Sequence, residues 1–239
     1  MTYDEYFSEE RDPWIKGELG IEVTAFSFEY INDDFWKYPN DEDYWKFRRL
    51  QIYFGTDAHR RLLFSNAIFS RGNFGYLYVG VGGNLFRVDQ NANSVLLYSG
   101  PNPIYQISAP NQYYLLFHDG EMAYRMFLPT GQVDTLCEVD STRTVISSIS
   151  NTDYEFETPD PDFLEFEANY GAAADYISQG LGEPYHYKVY SWRTRNVYPI
   201  DPKEKREIVD NGIALDWYTA VRLTYLDRLN ADLEKMGRK

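Results

Sequence analysis

The chain has 239 residues, 44% of them hydrophobic and 18% aromatic, with a formal net charge of −14. That length suits one large β-rich domain or two small ones, and the apolar content excludes disorder as a reading of the whole chain. The negative balance repels nucleic-acid phosphates and anionic membranes, and it attracts basic proteins or cations.

The 22 Tyr and 15 Phe suit half-buried pleated surfaces and lean the chain towards β-structure. Charge is unevenly spread. Residues 1–50 carry 13 acidic against 6 basic residues, 51–150 carry 7 against 6, 151–180 carry 8 against none, and 181–239 carry 9 against 11. A near-neutral middle is therefore flanked by acid. Residues 1–10 hold no apolar core of the kind an export signal needs, and the one cysteine, Cys137, has no partner for an internal disulfide. No apolar run approaches the ~18 residues of a membrane-spanning helix. These features point to a soluble protein of a reducing cytoplasm.

In chain order, residues 18–31 alternate as a strand with a slip near Phe26 that a bulge would explain. Asn32-Asp33-Asp34 and Pro39-Asn40-Asp41 punctuate a loop, Trp45 to Phe54 reads as a second strand, and Leu62 to Phe69 as a third. An internal pattern then emerges. Phe69-Ser70…Tyr76, Ile107-Ser108…Tyr113 and Ile149-Ser150…Tyr154 recur at spacings of 38 and 42 residues, and Gly83, Arg87 and Val95 have counterparts in Gly120, Arg125 and Val133. Gly82-Gly83 and Asp119-Gly120 between apolar runs are hairpin turns, because such turns need positive φ. Each copy is thus a three- or four-stranded antiparallel meander, the unit of propeller blades and equally of a twisted sheet or small sandwich. The third copy breaks down after Tyr154, where Pro159 and Pro161 would interrupt a central strand.

Short helices are expected over 163–174 and 172–179, and a strand over 184–193. Asp201, Pro202 and Glu204 make a helix start, with Asn211-Gly212 as an interruption. Ile213, Trp217, Ala220, Leu223, Leu226, Leu229, Leu233 and Met236 then recur at helical spacing over about 24 residues. This amphipathic helix either packs on the sheet as core or docks a partner. The fold class expected is mainly β, with antiparallel meanders and a C-terminal amphipathic α-helix. One domain spans 1–239, with a β scaffold over 18–200, an acidic insertion near 151–180 and a helical segment over 201–239.

Little catalytic chemistry is signalled. His59, His118 and His186 lack zinc-site spacing, and the Gly80-Val81-Gly82-Gly83 run lacks the lysine and helix of a phosphate loop. His118 stands beside Asp119 in an expected turn, and no nucleophile elbow accompanies them. No cofactor is expected. The acidic stretch Asp153, Glu155, Glu157, Asp160, Asp162, Glu165 and Glu167 has three readings: a solvated loop, a docking surface for a basic protein, or a cation site without EF-hand spacing. Glu155 and Glu157 flank Phe156, so in a strand their carboxylates share one face.

Two functions follow. One is a non-catalytic acidic module of the immunity- or inhibitor-protein type, with those seven residues and the acid of residues 1–50 forming one face towards a basic partner. The other is a carbohydrate-binding or glycoside hydrolase-like protein with aromatic platforms beside a carboxylate pair.

Overall fold

Glycine-bearing turns fold the middle of the chain into consecutive hairpins. The computed structural model describes residues 25–31, 49–56, 59–72, 75–170, 173–213 and 217–238. A first antiparallel sheet runs in sequence order through β1 (Ala25–Tyr30), β2 (Leu50–Thr56), β3 (His59–Arg71), β4 (Leu77–Val81), β5 (Asn84–Val88) and β6 (Ser94–Ser99). The second comprises β7 (Gln106–Ser108), β8 (Tyr114–His118), β9 (Met122–Phe127) and β10 (Gln132–Glu138). The third comprises β11 (Val145–Ser148), β12 (Asp153–Pro159), β13 (Tyr185–Ser191) and β14 (Asn196–Ile200). Helices α1 (Pro161–Tyr170) and α2 (Ala173–Ser178) are inserted between β12 and β13, and α3 (Pro202–Asp210) and α4 (Trp217–Lys235) follow β14.

The β4–β5 turn shows why glycine is needed there. Gly82 has φ +54°, and a Cβ on Gly83 would lie 2.1 Å from the Gly100 carbonyl oxygen. The glycines of the Gly80–Gly83 run therefore serve backbone geometry. Strand β7 packs against β3 and β4 on one side and against β11 on the other, so the three meanders stand side by side. The middle sheet is covered on both faces. Leu115 and Phe117 of β8 join the core shared with Ile68, Tyr78 and Ile107, whereas Leu116 joins Ile146, Tyr154 and Phe156 of the third sheet. This two-sided burial explains why β8 reads as an unbroken apolar run.

Two expectations are corrected. The slip expected near Phe26 is absent from β1, which pairs with β2 in unbroken register from Ala25↔Gly55 to Tyr30↔Leu50. Phe26, Phe28 and Tyr30 alternate regularly, and Phe28 stacks on Phe69 at 4.3 Å. The register shifts lie between β2 and β3, around Ile52. Residues 18–24 and 45–48 of the expected strands lie outside the described residues, as do Asn32–Asp34 and Pro39–Asp41.

The third meander, expected to dissolve at Tyr154, is complete. Pro159 is the last residue of β12 and Pro161 the first of α1, positions at which a missing N–H costs no interior ladder bond. Strand β12 pairs with β11 from Ser148↔Tyr154 to Val145↔Glu157, and with β13 from Asp153↔Ser191 to Pro159↔Tyr185.

At the C-terminus, Asp201 caps α3 by accepting from the Lys203 N–H at 2.8 Å, with Pro202 in the first turn, as expected. Helix α4 packs on the third sheet through Val221, Tyr225, Leu229 and Leu233, against Val189, Tyr198 and Ile200. Its buried stripe is not quite the one expected, since Leu223 and Met236 are each 45% exposed. Tyr225 and Val221, at spacings of four from Leu229 and Tyr225, take the buried positions instead. Among the described residues no helix is long and apolar enough to cross a membrane.

Candidate functional site

The β12 strand sorts its residues by parity. Even-numbered Tyr154 and Phe156 enter the core between the second and third sheets, so the odd-numbered Asp153, Glu155 and Glu157 share the opposite face, on the side of α3 and α4. This is the shared face expected for Glu155 and Glu157, extended by one residue.

Each carboxylate has partners inside the molecule. Lys205 of α3, wholly buried, donates from Nζ to Glu155 Oε1 at 2.5 Å, and its ammonium sits 3.7 Å from the Tyr187 ring centroid. Glu157 accepts from the Tyr187 hydroxyl and lies within the field of Lys205. Asp153 Oδ2 accepts from the Ser150 hydroxyl at 2.9 Å and from Arg193 at 3.2 Å, and the Tyr225 hydroxyl of α4 faces the same carboxylate. Burial pushes Lys205 down, against the hydrogen bond and charge of Glu155. Burial pushes Glu157 up, against the attraction of Lys205. The Tyr187 hydroxyl is driven up by burial and then by the charges of Glu157 and Glu155.

The second half of the acidic stretch behaves differently. Asp160 precedes α1, accepts from the Asp162 N–H at 2.8 Å, and meets His186 Nε2 at 2.6 Å. Glu167 holds Arg143 at 2.7 Å. Asp162 and Glu165 are exposed, and so is Asp175 in the first turn of α2. Residues 151–180 contain no Lys or Arg, so these exposed carboxylates have no cation on their own helices.

The seven residues therefore do not form one surface. Asp153 and Glu155, expected on a docking face, are interior groups at 3% and 4% exposure. With Lys205 and Arg193 in place, both carboxylates are covered and paired within the chain and lie outside its exposed surface. The expected contribution of residues 1–50 to the face lies mostly outside the described residues. Asp175 was the exposed acid that the seven omitted; its signal in the sequence was the absence of any cation from 151 to 180.

His118 and Asp119 are a turn. The buried His118 ring donates from Nε2 to the Thr144 carbonyl at 2.8 Å and accepts the Gly120 N–H at Nδ1, which sets its tautomer. Burial lowers its pKa to about 4. Asp119 accepts from the Glu121 and Met122 N–H groups and the Tyr124 hydroxyl. Burial pushes the Asp119 carboxyl up, but these bonds outweigh it and hold it low. Among the described residues no group of three or more His, Cys, Asp or Glu could hold a metal ion. Among those whose side chains are described, one aromatic, Tyr113 at 51%, is largely exposed.

No family model and no curated protein matches the chain. Among solved structures, it is similar to a chain in the S. cerevisiae complex of Dbp5 bound to Nup159, Gle1, IP6 and ADP. The TM-score is 0.39 at 10% identity, covering 74% of this chain and 49% of that one. It is also similar to the N-terminal domain of Nup159, with a TM-score of 0.37 at 10% identity, covering 74% of this chain and 50% of that one. The chain spans about half the length of either match. At these values neither likeness assigns a function.

Proposed function

We propose that the protein is a non-catalytic binding module that presents the α1–α2 insertion to a basic segment of another protein. The observation that carries this reading is the set of exposed carboxylates Asp162, Glu165 and Asp175 on two helices without a cation. The base of the insertion is tied down by Glu167 to Arg143 and Asp160 to His186, and its apolar side by Phe163, Phe166 and Tyr176. A rigid acidic surface of this kind steers a basic partner, with association that weakens as salt screens it. Neutralising that partner, in the manner of an immunity or inhibitor protein, is the specific form this reading takes. A reducing cytoplasm suits Cys137, whose thiol is pushed up to about 11 by burial and so is kept unreactive.

The test uses a fluorescent Lys/Arg-rich peptide as the probe. Binding that falls with added salt, and that is lost in D162N/E165Q/D175N while the melting temperature is kept, supports the reading. Equal binding by the wild type and the triple variant overturns it.

A further inference from the structure

Helix α3 is attached in an unusual way. Its single buried side chain is a lysine, Lys205, and no apolar residue of the helix is buried to the same degree. The ammonium enters a pocket of definite chemistry. Glu155 accepts from it at 2.5 Å, the Tyr187 ring lies 3.7 Å from it, and Glu157, fixed by the Tyr187 hydroxyl, supplies a second carboxylate. Two carboxylates and an aromatic face are the groups that recognise an alkylammonium ion. The pocket walls come from β12 and β13, a paired and rigid part of the sheet in which Glu157 stands opposite Tyr187. Its occupant comes from a nine-residue helix that ends at Asn211 and Gly212, where the chain turns with φ +68°.

We propose that this is a lysine-binding socket, occupied in the free protein by Lys205 and open to a lysine of a basic partner when α3 lifts away. The walls belong to the sheet, and the occupant is carried on α3, a separate element that packs against α4 and β13. The chain also runs directly from Glu157 near the end of β12 through Asp160 into α1. A basic segment docked on the insertion is thereby held near the socket at high effective concentration, which a displacing lysine needs in order to compete with a tethered one. The inference rests on the docking reading for its partner, but the chemistry of the socket does not.

The removal of Lys205 by K205A tests the socket alone. Butylammonium, added as the chloride, is expected to raise the melting temperature of K205A in a saturable way, while 1-butanol and sodium chloride at equal concentration do not. The same titration leaves wild-type protein unshifted. No butylammonium-specific rise in K205A overturns the socket. If K205A does not fold even with butylammonium, that result also counts against it, because the ligand should replace the missing side chain.

A second measurement uses intact wild-type protein and the Lys/Arg-rich peptide. Hydrogen exchange over 202–210 is expected to quicken at least about tenfold on peptide binding, while β12 and β13 stay protected. Peptide binding with unchanged α3 exchange overturns displacement and leaves the docking reading standing. No peptide binding at all removes the docking reading, and butylammonium rescue then still decides the socket.

Discussion

Lys205 Nζ and Glu155 Oε1 lie 2.5 Å apart, fifty positions distant in sequence, with Lys205 wholly buried and Glu155 nearly so. This pair joins the C-terminal helices to the third meander and turns part of the acidic stretch inward. Its energetics follow from burial. Two charges taken out of water lose much hydration, and their attraction offsets that loss only while both are present.

Removing the cation should therefore be costly. K205M leaves Glu155 and Glu157 facing each other without a counter-ion, and a loss of about 3–5 kcal/mol is expected in urea denaturation at pH 7. The triple variant K205M/E155Q/E157Q, which removes the uncompensated charges as well, should recover most of that loss.

Glu157 should respond in the opposite sense. Burial raises its folded pKa above the 4.5 of a free glutamate, in spite of Lys205. A group shifted upward contributes stability that is fully present below its unfolded pKa and is lost as pH rises through the folded pKa. E157Q keeps the size of the side chain and stays neutral. It should be more stable than wild type at pH 7, and the difference should shrink towards pH 4.5 and below. Equal urea midpoints at pH 7 would show that ionised Glu157 is fully compensated.

His118 gives a second pH signature. Its folded pKa is about 4 against 6.5 for the free side chain. Between these values the unfolded chain binds a proton that the folded protein does not, so stability falls as pH drops from 6.5 towards 4. The contribution at stake is on the order of 3 kcal/mol. H118N should be less stable at pH 7 but should lose this part of the slope. A slope between pH 6.5 and 4 identical to wild type would place the proton uptake elsewhere.

The face of α4 is tested by two substitutions. Leu229 is fully buried and Leu223 is 45% exposed. L229A should cost about 2–5 kcal/mol in chemical denaturation, and L223S less than about 0.5 kcal/mol. Similar costs for both would mean that the periodicity expected from the sequence, which counted Leu223 in the stripe, describes the packing better than the observed contacts.

Much of the scaffold was legible in the chain because short-range signals carry it. Gly82-Gly83 and Asp119-Gly120 mark hairpin turns by their need for positive φ, and Asp201-Pro202 marks a helix start by its capping geometry. The completed third meander was hidden because α1 and α2 separate β12 from β13, and because Pro159 and Pro161 look disruptive until they are seen at the ends of elements. The inward turn of Asp153 and Glu155 was hidden for a different reason. Charge predicts exposure unless a counter-ion is buried with it, and the counter-ions Arg193 and Lys205 stand 40 and 50 residues further on. The parity of Glu155 and Glu157 was readable, and so was the start of α3, whereas the packing of α3 over them was not.

The central claim is that the acidic stretch is divided, with Asp153, Glu155 and Glu157 holding the protein's own helices in the free protein and the exposed acids of α1 and α2 making the first contact with a partner. Anisotropy titration of the Lys/Arg-rich peptide against wild type, E155D and D162N/E165Q/D175N measures that division most directly. E155D keeps the inner charge but shortens its reach to Lys205. The account predicts that affinity survives E155D, within about threefold, and falls at least about tenfold in the triple variant. Affinity retained in the triple variant would contradict it.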